Sequence, residues 1–301
     1  MSSLMIGNFD GVHLGHLALL ERSRKCAAGG EVTAVTFEPH PSAILRPEKR
    51  VDRLLPADMR RALLKDAGAD NVIELPTTPE LLDLDAADFV DMLRERCRFD
   101  VMVEGGDFRF GRKRAAGVSE LIALGRTRDF SVEVVDDVDV ELEDRTVVPV
   151  RSTLIRWLLR HGRVVDAERA LGRPHRIYGT VVKGDQRGRT LGYPTANLDH
   201  GSCLLPGDGI YSGVGVLSDG TRVSAAISVG TKPTFGGTER VCEAHLLDHD
   251  APLDDYGWAL TLEFKRYLHE QLTFESVEPL LQRMSRDCEL VRHHAREPHS
   301  S

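Results

Sequence analysis

Hydrophobic positions in the first 135 residues follow two alternating patterns. Short β-rich apolar runs occur at Leu4–Ile6, Val32–Phe37, Val72–Leu75, Val101–Glu104 and Val132–Val135. The stretches between them, roughly Leu14–Ala27, Pro56–Ala67, Ala86–Cys97 and Val118–Arg128, repeat their apolar residues at helical spacing. Runs that short and that apolar suit strands buried on both faces. Alternating strand and helix with short connections predicts a parallel sheet covered on both sides. Such sheets bind ligands beyond the carboxyl ends of their strands. Ser152 is placed to cap a further helix through about His161, and a short helix follows, ending at Gly172.

The texture changes after Gly172. Fourteen of the 27 glycines fall between Gly172 and Gly237, and they punctuate short β-rich runs at Ile177–Val182, Ile210–Leu217, Val223–Val229, Val241–Leu247 and Ala259–Phe264. Frequent turns between short strands predict an antiparallel barrel or sandwich. A last amphipathic helix is expected from about Ser276 to Arg296, with Pro298–Ser301 a disordered tail. Two domains follow, 1–171 and 172–301.

Composition narrows the function classes. Hydrophobic content of 41% and charged content of 29% suit globular domains, and no apolar run is long enough for a membrane span. A formal charge of −8 speaks against a general nucleic-acid surface. The five cysteines are scattered, without a C-x-x-C, and read as reduced thiols in a cytoplasmic protein.

The most informative segment is Ile6-Gly7-Asn8-Phe9-Asp10-Gly11-Val12-His13-Leu14-Gly15-His16. An apolar run meets a Gly/Asn/Asp turn, and two histidines then stand three residues apart where a helix begins. At that spacing both imidazoles face one side of the first turn, beside unpaired backbone N–H groups that favour anions. Gly11 and Gly15 let a nucleotide approach the backbone. The pattern resembles the HxGH signature of nucleotidyltransferases, which attack the α-phosphate of a nucleoside triphosphate. Zinc is the weaker reading, because two histidines fall short of a zinc ligand set.

A second constellation runs from Lys183 to Leu198. Its glycine-rich, basic loop can wrap phosphates with backbone amides, although no Walker A motif is present. It ends in Pro194-Thr195-Ala196-Asn197, where Thr195 and Asn197 offer neutral oxygens on alternate residues of an extended segment and so point the same way. That pairing suits Mg²⁺, which takes its remaining ligands from phosphates and water.

With these motifs in order, the chain resembles the bifunctional bacterial riboflavin kinase/FAD synthetases over nearly its full length. The matching segments are Gly7–His16, Phe37-Glu38-Pro39-His40-Pro41, Gly106-Asp107-Phe108-Arg109-Phe110-Gly111 and Ser152-Thr153-Leu154-Ile155-Arg156. They continue with Leu171–Pro174, Gly188–Asn197, Leu205–Tyr211, Val229–Phe235 and Glu243–Asp248. Arg151 stands where the family commonly has the first serine of an S-S-T triplet, and Ser228 where asparagine is frequent.

The resemblance implies FMN adenylylation on a Rossmann-like HxGH α/β domain and riboflavin phosphorylation on a six-stranded barrel with a C-terminal helix. ATP, riboflavin and FMN would be the substrates and Mg²⁺ the cofactor. By the same resemblance Gly7, Asn8, Phe9, His13 and His16 would bind ATP, with Ser152, Thr153 and Arg156 completing the triphosphate grip. Asp107, Phe108 and Phe110 would lie on the flavin side. In the kinase half, Gly184 and Gly188 would serve the nucleotide, Thr195 and Asn197 the Mg²⁺, and Glu243 would be the base on the riboflavin hydroxyl.

Two other functions compete. A monofunctional riboflavin kinase would use its first half only to bind nucleotide, but the intact HxGH and S-T-x-I-R segments speak against it. A flavin-binding regulator without turnover has no need for Thr195, Asn197 and Glu243 together.

Overall fold

The computed structural model describes residues 1–48, 52–184, 187–234, 237–249 and 255–296. The tail expected from Pro298 and the Phe235 position lie outside the described residues. Contacts divide the chain into two compact units. The first holds residues 1–141 and 147–152, the second 142–146 and 153–301.

In the first unit the elements alternate as the apolar pattern requires. They are β1 (Ser3–Ile6), α1 (Leu14–Ala27), β2 (Val32–Glu38), α2 (Pro41–Leu45), α3 (Ala57–Asp66) and β3 (Asn71–Pro76), then α4 (Pro79–Asp83), α5 (Ala86–Arg96), β4 (Val101–Gly105), α6 (Val118–Arg128) and β5 (Ser131–Val135). The five strands form a parallel sheet in the order β3-β2-β1-β4-β5. Alternate residues of a strand face opposite sides. Leu4, Ile6 and Met102 therefore join Phe89, Leu93 and Leu121 in one core. From the other face, the Ser3 hydroxyl donates to the Ser23 carbonyl of α1 at 3.0 Å. A short antiparallel pair, β6 (Asp139–Glu141) and β7 (Val147–Pro149), closes the unit. At three residues each, these strands are too short for periodicity to reveal.

The second unit begins with α7, which runs Ser152–Arg160 from the last residue of the first unit, and α8 (Val164–Leu171). The expected domain limit at 171/172 follows the change in glycine content. By packing, residues 153–171 group with the second unit. Six strands form a closed barrel in the order β10-β11-β12-β9-β8-β13. They are β8 (His175–Val182), β9 (Ala196–Asp199), β10 (Gly209–Leu217), β11 (Arg222–Thr234), β12 (Gly237–Leu246) and β13 (Ala259–His269), with a one-turn α9 (Arg187–Thr190) and a final α10 (Val277–Arg296). The pattern of polar and apolar residues had pointed to five of these strands. β9 is only four residues long and half-polar, and it exists because it pairs with both β8 and β12. β11 outruns its apolar stretch by five residues, since pairing with β12 carries it through Gly230 and Pro233, both poor strand formers.

Candidate active sites

In the first unit, β1 ends at Ile6 and the chain turns through residues 7–12 before α1 begins. Phe9, Gly11 and Val12 take positive φ values of 45°, 90° and 40°. Gly11 adopts this region at little cost; Phe9 and Val12 do so only because the turn is held from several sides. The Asp10 carboxylate accepts from the Leu54 N–H at 3.0 Å, and the Asp10 carbonyl accepts from the Ser152 hydroxyl at 2.9 Å. The Asn8 carbonyl accepts from the Thr36 hydroxyl at 3.3 Å and from Arg60 at 3.4 Å.

The turn ends with His13 as the N-cap of α1. Its N–H donates to His16 Nδ1 at 3.3 Å, and the two rings stack with centroids 3.6 Å apart. Phe9 meets His16 edge-on at 5.2 Å. A Cβ on Gly15 would lie 3.2 Å from the His13 ring, so glycine leaves room for the stack. The expectation that both imidazoles share one side of the first turn agrees with this geometry. Gly7, Asn8, Phe9, His13, His16 and Ser152 all lie on or against this turn. Thr153 is exposed and Arg156 buried on α7, and both belong to the second unit.

Beyond β4, Asp107 is exposed and pairs with Arg151, whose other nitrogen pairs with Asp137 at 2.8 Å. Arg151 thus joins the loops after β4 and β5. Phe108 and Phe110 stack at 5.4 Å, but Phe110 is buried in the core against Phe89 and Phe108 is half-buried.

Two features here escaped the sequence reading. Arg60 on α3 is buried, reaching Glu38 at 3.1 Å, while Arg53 grips the same carboxylate through two bonds of 2.6 and 2.7 Å. Burial alone would raise Glu38, but Arg53 and Arg60 outweigh it and hold the carboxyl below its usual range. The other is Glu104, fully buried on β4. Neither shows in a pattern, because charge alternating with apolar residues looks like an exposed face until the fold covers it.

In the second unit, strand register assembles the site. Glu243 on β12 stands opposite Asn197 on β9 and Ser228 on β11, and residues directly opposite in antiparallel strands share a face. Gly184 and Gly188 press the basic loop against this segment. A Cβ on Gly184 would fall 2.2 Å from the Asn197 amide, and one on Gly188 would fall 2.3 Å from the Tyr193 carbonyl. The His245 ring bonds the Pro194 carbonyl at 2.8 Å and meets Tyr193 edge-on at 5.4 Å.

A cleft with about 430 Å³ of empty space opens beside these residues. Thr195, Ser228, Glu243 and His245 line one part, and Tyr193, Ile210, Ala226, Ile227, Met284 and Cys288 supply apolar walls. Asn197 is not among the lining residues. Asp287 of α10 also lines the cleft, bonded to His269 at 3.0 Å and to Arg283 at 3.1 Å. Among the described residues no cluster of His, Cys, Asp or Glu could hold a metal. The neutral oxygens of Thr195 and Asn197, with Gly184 tight against the Asn197 amide and Glu243 opposite, fit a cation shared with phosphates.

A parallel sheet with an HxGH turn and a closed barrel with a Pro-Thr-Ala-Asn segment define a two-unit nucleotide-dependent transferase. The FAD synthetase family model matches residues 1–148 and the riboflavin kinase model residues 171–295. The chain belongs to the bifunctional riboflavin kinase/FMN adenylyltransferase family. It is 36% identical to the member from Pseudomonas fluorescens over 95% of this chain and 91% of that one. The Escherichia coli K12 member is 32% identical over 94% and 90%. A solved structure from Streptococcus pneumoniae, called a macrolide-efflux protein, superposes with a TM-score of 0.87 at 29% identity over 97% of this chain and 93% of that one. Among the described residues no helix is long and apolar enough to cross a membrane.

Proposed function

We propose that the second unit phosphorylates riboflavin to FMN with ATP, and that the first transfers the adenylyl group of a second ATP to FMN, giving FAD and pyrophosphate. The observation that carries this reading is the presence, in one chain and in order, of both family matches, each over a unit with its own polar site. The reading puts the enzyme in the cytoplasm, where ATP is made and its five free cysteines stay reduced.

A ribityl hydroxyl is a poor nucleophile. Glu243 takes its proton as the oxygen bonds to the γ-phosphorus and ADP departs, an assistance of about 10²- to 10⁴-fold. Thr195 and Asn197 would hold Mg²⁺, which neutralises charge on the phosphates when bound. Gly184 and Gly188 bring loop amides to the nucleotide, and the apolar walls suit the planar flavin ring. The supporting geometry is the shared face of Glu243 and Asn197.

Adenylylation needs no such base, because a phosphate monoester is mostly dianionic at neutral pH. It needs donors and positive charge on the α-phosphate and the leaving pyrophosphate. His13 and His16 supply these from the turn formed with Gly7, Asn8 and Phe9. Ser152 adds a hydroxyl to the triphosphate grip, and Asp107, Phe108 and Phe110 form the flavin side, with Phe110 acting as the buried support of Phe108. The test is to incubate the protein with riboflavin, ATP and Mg²⁺ and separate the flavins by chromatography. FAD is expected; FMN alone would reduce the first unit to a nucleotide-binding domain.

A further inference from the structure

The ladder between β1 and β4 stops early. Only Ser3 and Leu4 pair with Val101 and Met102, whereas on its other side β1 stays paired with β2 as far as Ile6 opposite Val35. The Gly7 N–H still donates to the Val35 carbonyl at 3.0 Å. The Ile6 N–H, facing β4, donates instead to Glu104 Oε1 at 2.8 Å. A side-chain carboxyl thus replaces a strand carbonyl where the two strands part.

That place is not arbitrary. With the order β3-β2-β1-β4-β5, the direction of sheet growth reverses between β1 and β4, where open α/β sheets form their ligand crevice. Ile6 leads directly into the turn that carries His13 and His16. A buried carboxyl is costly to keep in a sheet core and a plain apolar residue would fill the space, so its hydrogen bond to the last β1 amide is the feature that distinguishes it.

We propose that Glu104 is a positioning residue of the adenylylation site: its carboxyl fixes the point where β1 leaves the sheet, and so the orientation of the histidine turn. The inference rests on the adenylylation reading of the first unit. Burial pushes the Glu104 carboxyl well above the usual range; the Ile6 N–H works against this, and Asp107 adds to the rise. Of the other charges on elements packed near β4, Arg22 of α1 is engaged with Glu133 of β5, and Lys25 of α1 with Glu21. Asp107 itself is held by Arg151. His13 and His16 stand at the start of α1, and the variants below separate their contribution from that of Glu104. Ionised, Glu104 would place a negative charge at the base of a crevice meant for polyphosphate.

The experiment is a pH profile of FMN adenylylation in the full chain, with riboflavin phosphorylation as internal control. Glu104→Gln keeps an acceptor for Ile6 and cannot ionise. It should retain adenylylation near the native level at neutral pH and lack the alkaline decline expected of the native protein. Glu104→Leu keeps the bulk without the acceptor. It should lower adenylylation kcat/KM about tenfold or more, a loss of one buried hydrogen bond, and raise KM for ATP, with riboflavin phosphorylation unchanged. The same alkaline limb in the native protein and Glu104→Gln, or native-like adenylylation in Glu104→Leu, overturns the proposal. If the native chain makes FMN but never FAD, the adenylylation reading fails instead. ATP titration then decides for Glu104, since equal affinity in the native protein and Glu104→Leu refutes it.

Discussion

His16 owes its place to three neighbours: the His13 N–H on its Nδ1, the stacked His13 ring and the edge of Phe9. In the proposed adenylylation site His16 is a donor to a phosphate of ATP. His16→Ala should therefore cut FAD formation by roughly 10²- to 10³-fold, the size of one donor to developing charge, and leave FMN formation nearly unchanged. Chromatographic assay of both half-reactions measures it, and equal losses in both would point to damaged folding. Glu38, Arg53 and Arg60 act differently. They meet at the end of β2, where Arg60 also reaches the Asn8 carbonyl of the turn, and neither arginine was visible as a site in the sequence, since a lone arginine reads as a solvated side chain until packing covers it.

At the level of elements, the pairing of β9 with β12 decides the kinase site. Glu243 and Asn197 are 46 positions apart in the chain but directly opposite in the barrel. Their substitutions should fail in different ways. Glu243→Gln should lower the FMN-forming kcat by about 10²-fold with riboflavin affinity largely kept. Asn197→Ala should raise KM for ATP and recover part of its rate at higher Mg²⁺. Steady-state kinetics over a Mg²⁺ series separates them, and a near-normal kcat in Glu243→Gln would remove that residue from proton transfer.

Strand β8 carries a different dependence. His175 is buried and bonded to the Leu204 carbonyl at 3.0 Å; burial pushes its imidazole down to about 4 despite that bond, and Arg173 adds to the depression. The folded barrel keeps His175 neutral while the unfolded chain protonates near the ordinary 6.5. The stabilisation is present above the unfolded value and is lost as pH falls from there toward the folded one. Thermal melts should show the barrel weaker at about pH 5 than at about pH 7 by on the order of 2 kcal/mol. His175→Gln should flatten that part of the slope.

For the whole molecule, the question is where the kinase half begins. Glycine content changes at Gly172, yet α7 and α8 bury Ile155, Leu158, Leu159, Val164, Ala167 and Leu171 and group with the second unit. Lys265 of β13 pairs with Glu168 of α8 at 3.5 Å. A fragment starting at residue 153 should fold and phosphorylate riboflavin. One starting at residue 172 strips a helical layer off the barrel and should melt several degrees lower. Differential scanning calorimetry with a riboflavin kinase assay compares them; equal melting temperatures would mean the helices contribute nothing to the second unit.

What the sequence determined by itself is local and periodic. Apolar runs of three to six residues separated by helical repeats specified the parallel sheet, because side-chain spacing along a chain is a property of the element alone. The glycine-framed motifs were equally legible, since Gly11 takes a positive φ, a Cβ at Gly184 or Gly188 would collide with its neighbours and one at Gly15 would crowd the His13 ring. Pairing was left to the tertiary structure. A four-residue β9, a β11 running through Pro233, a Glu243–Asn197 register and a Glu104 that bonds the Ile6 amide each depend on a partner far away in the chain. Their free energy comes from closing a barrel or covering a sheet, which no local stretch of residues contains.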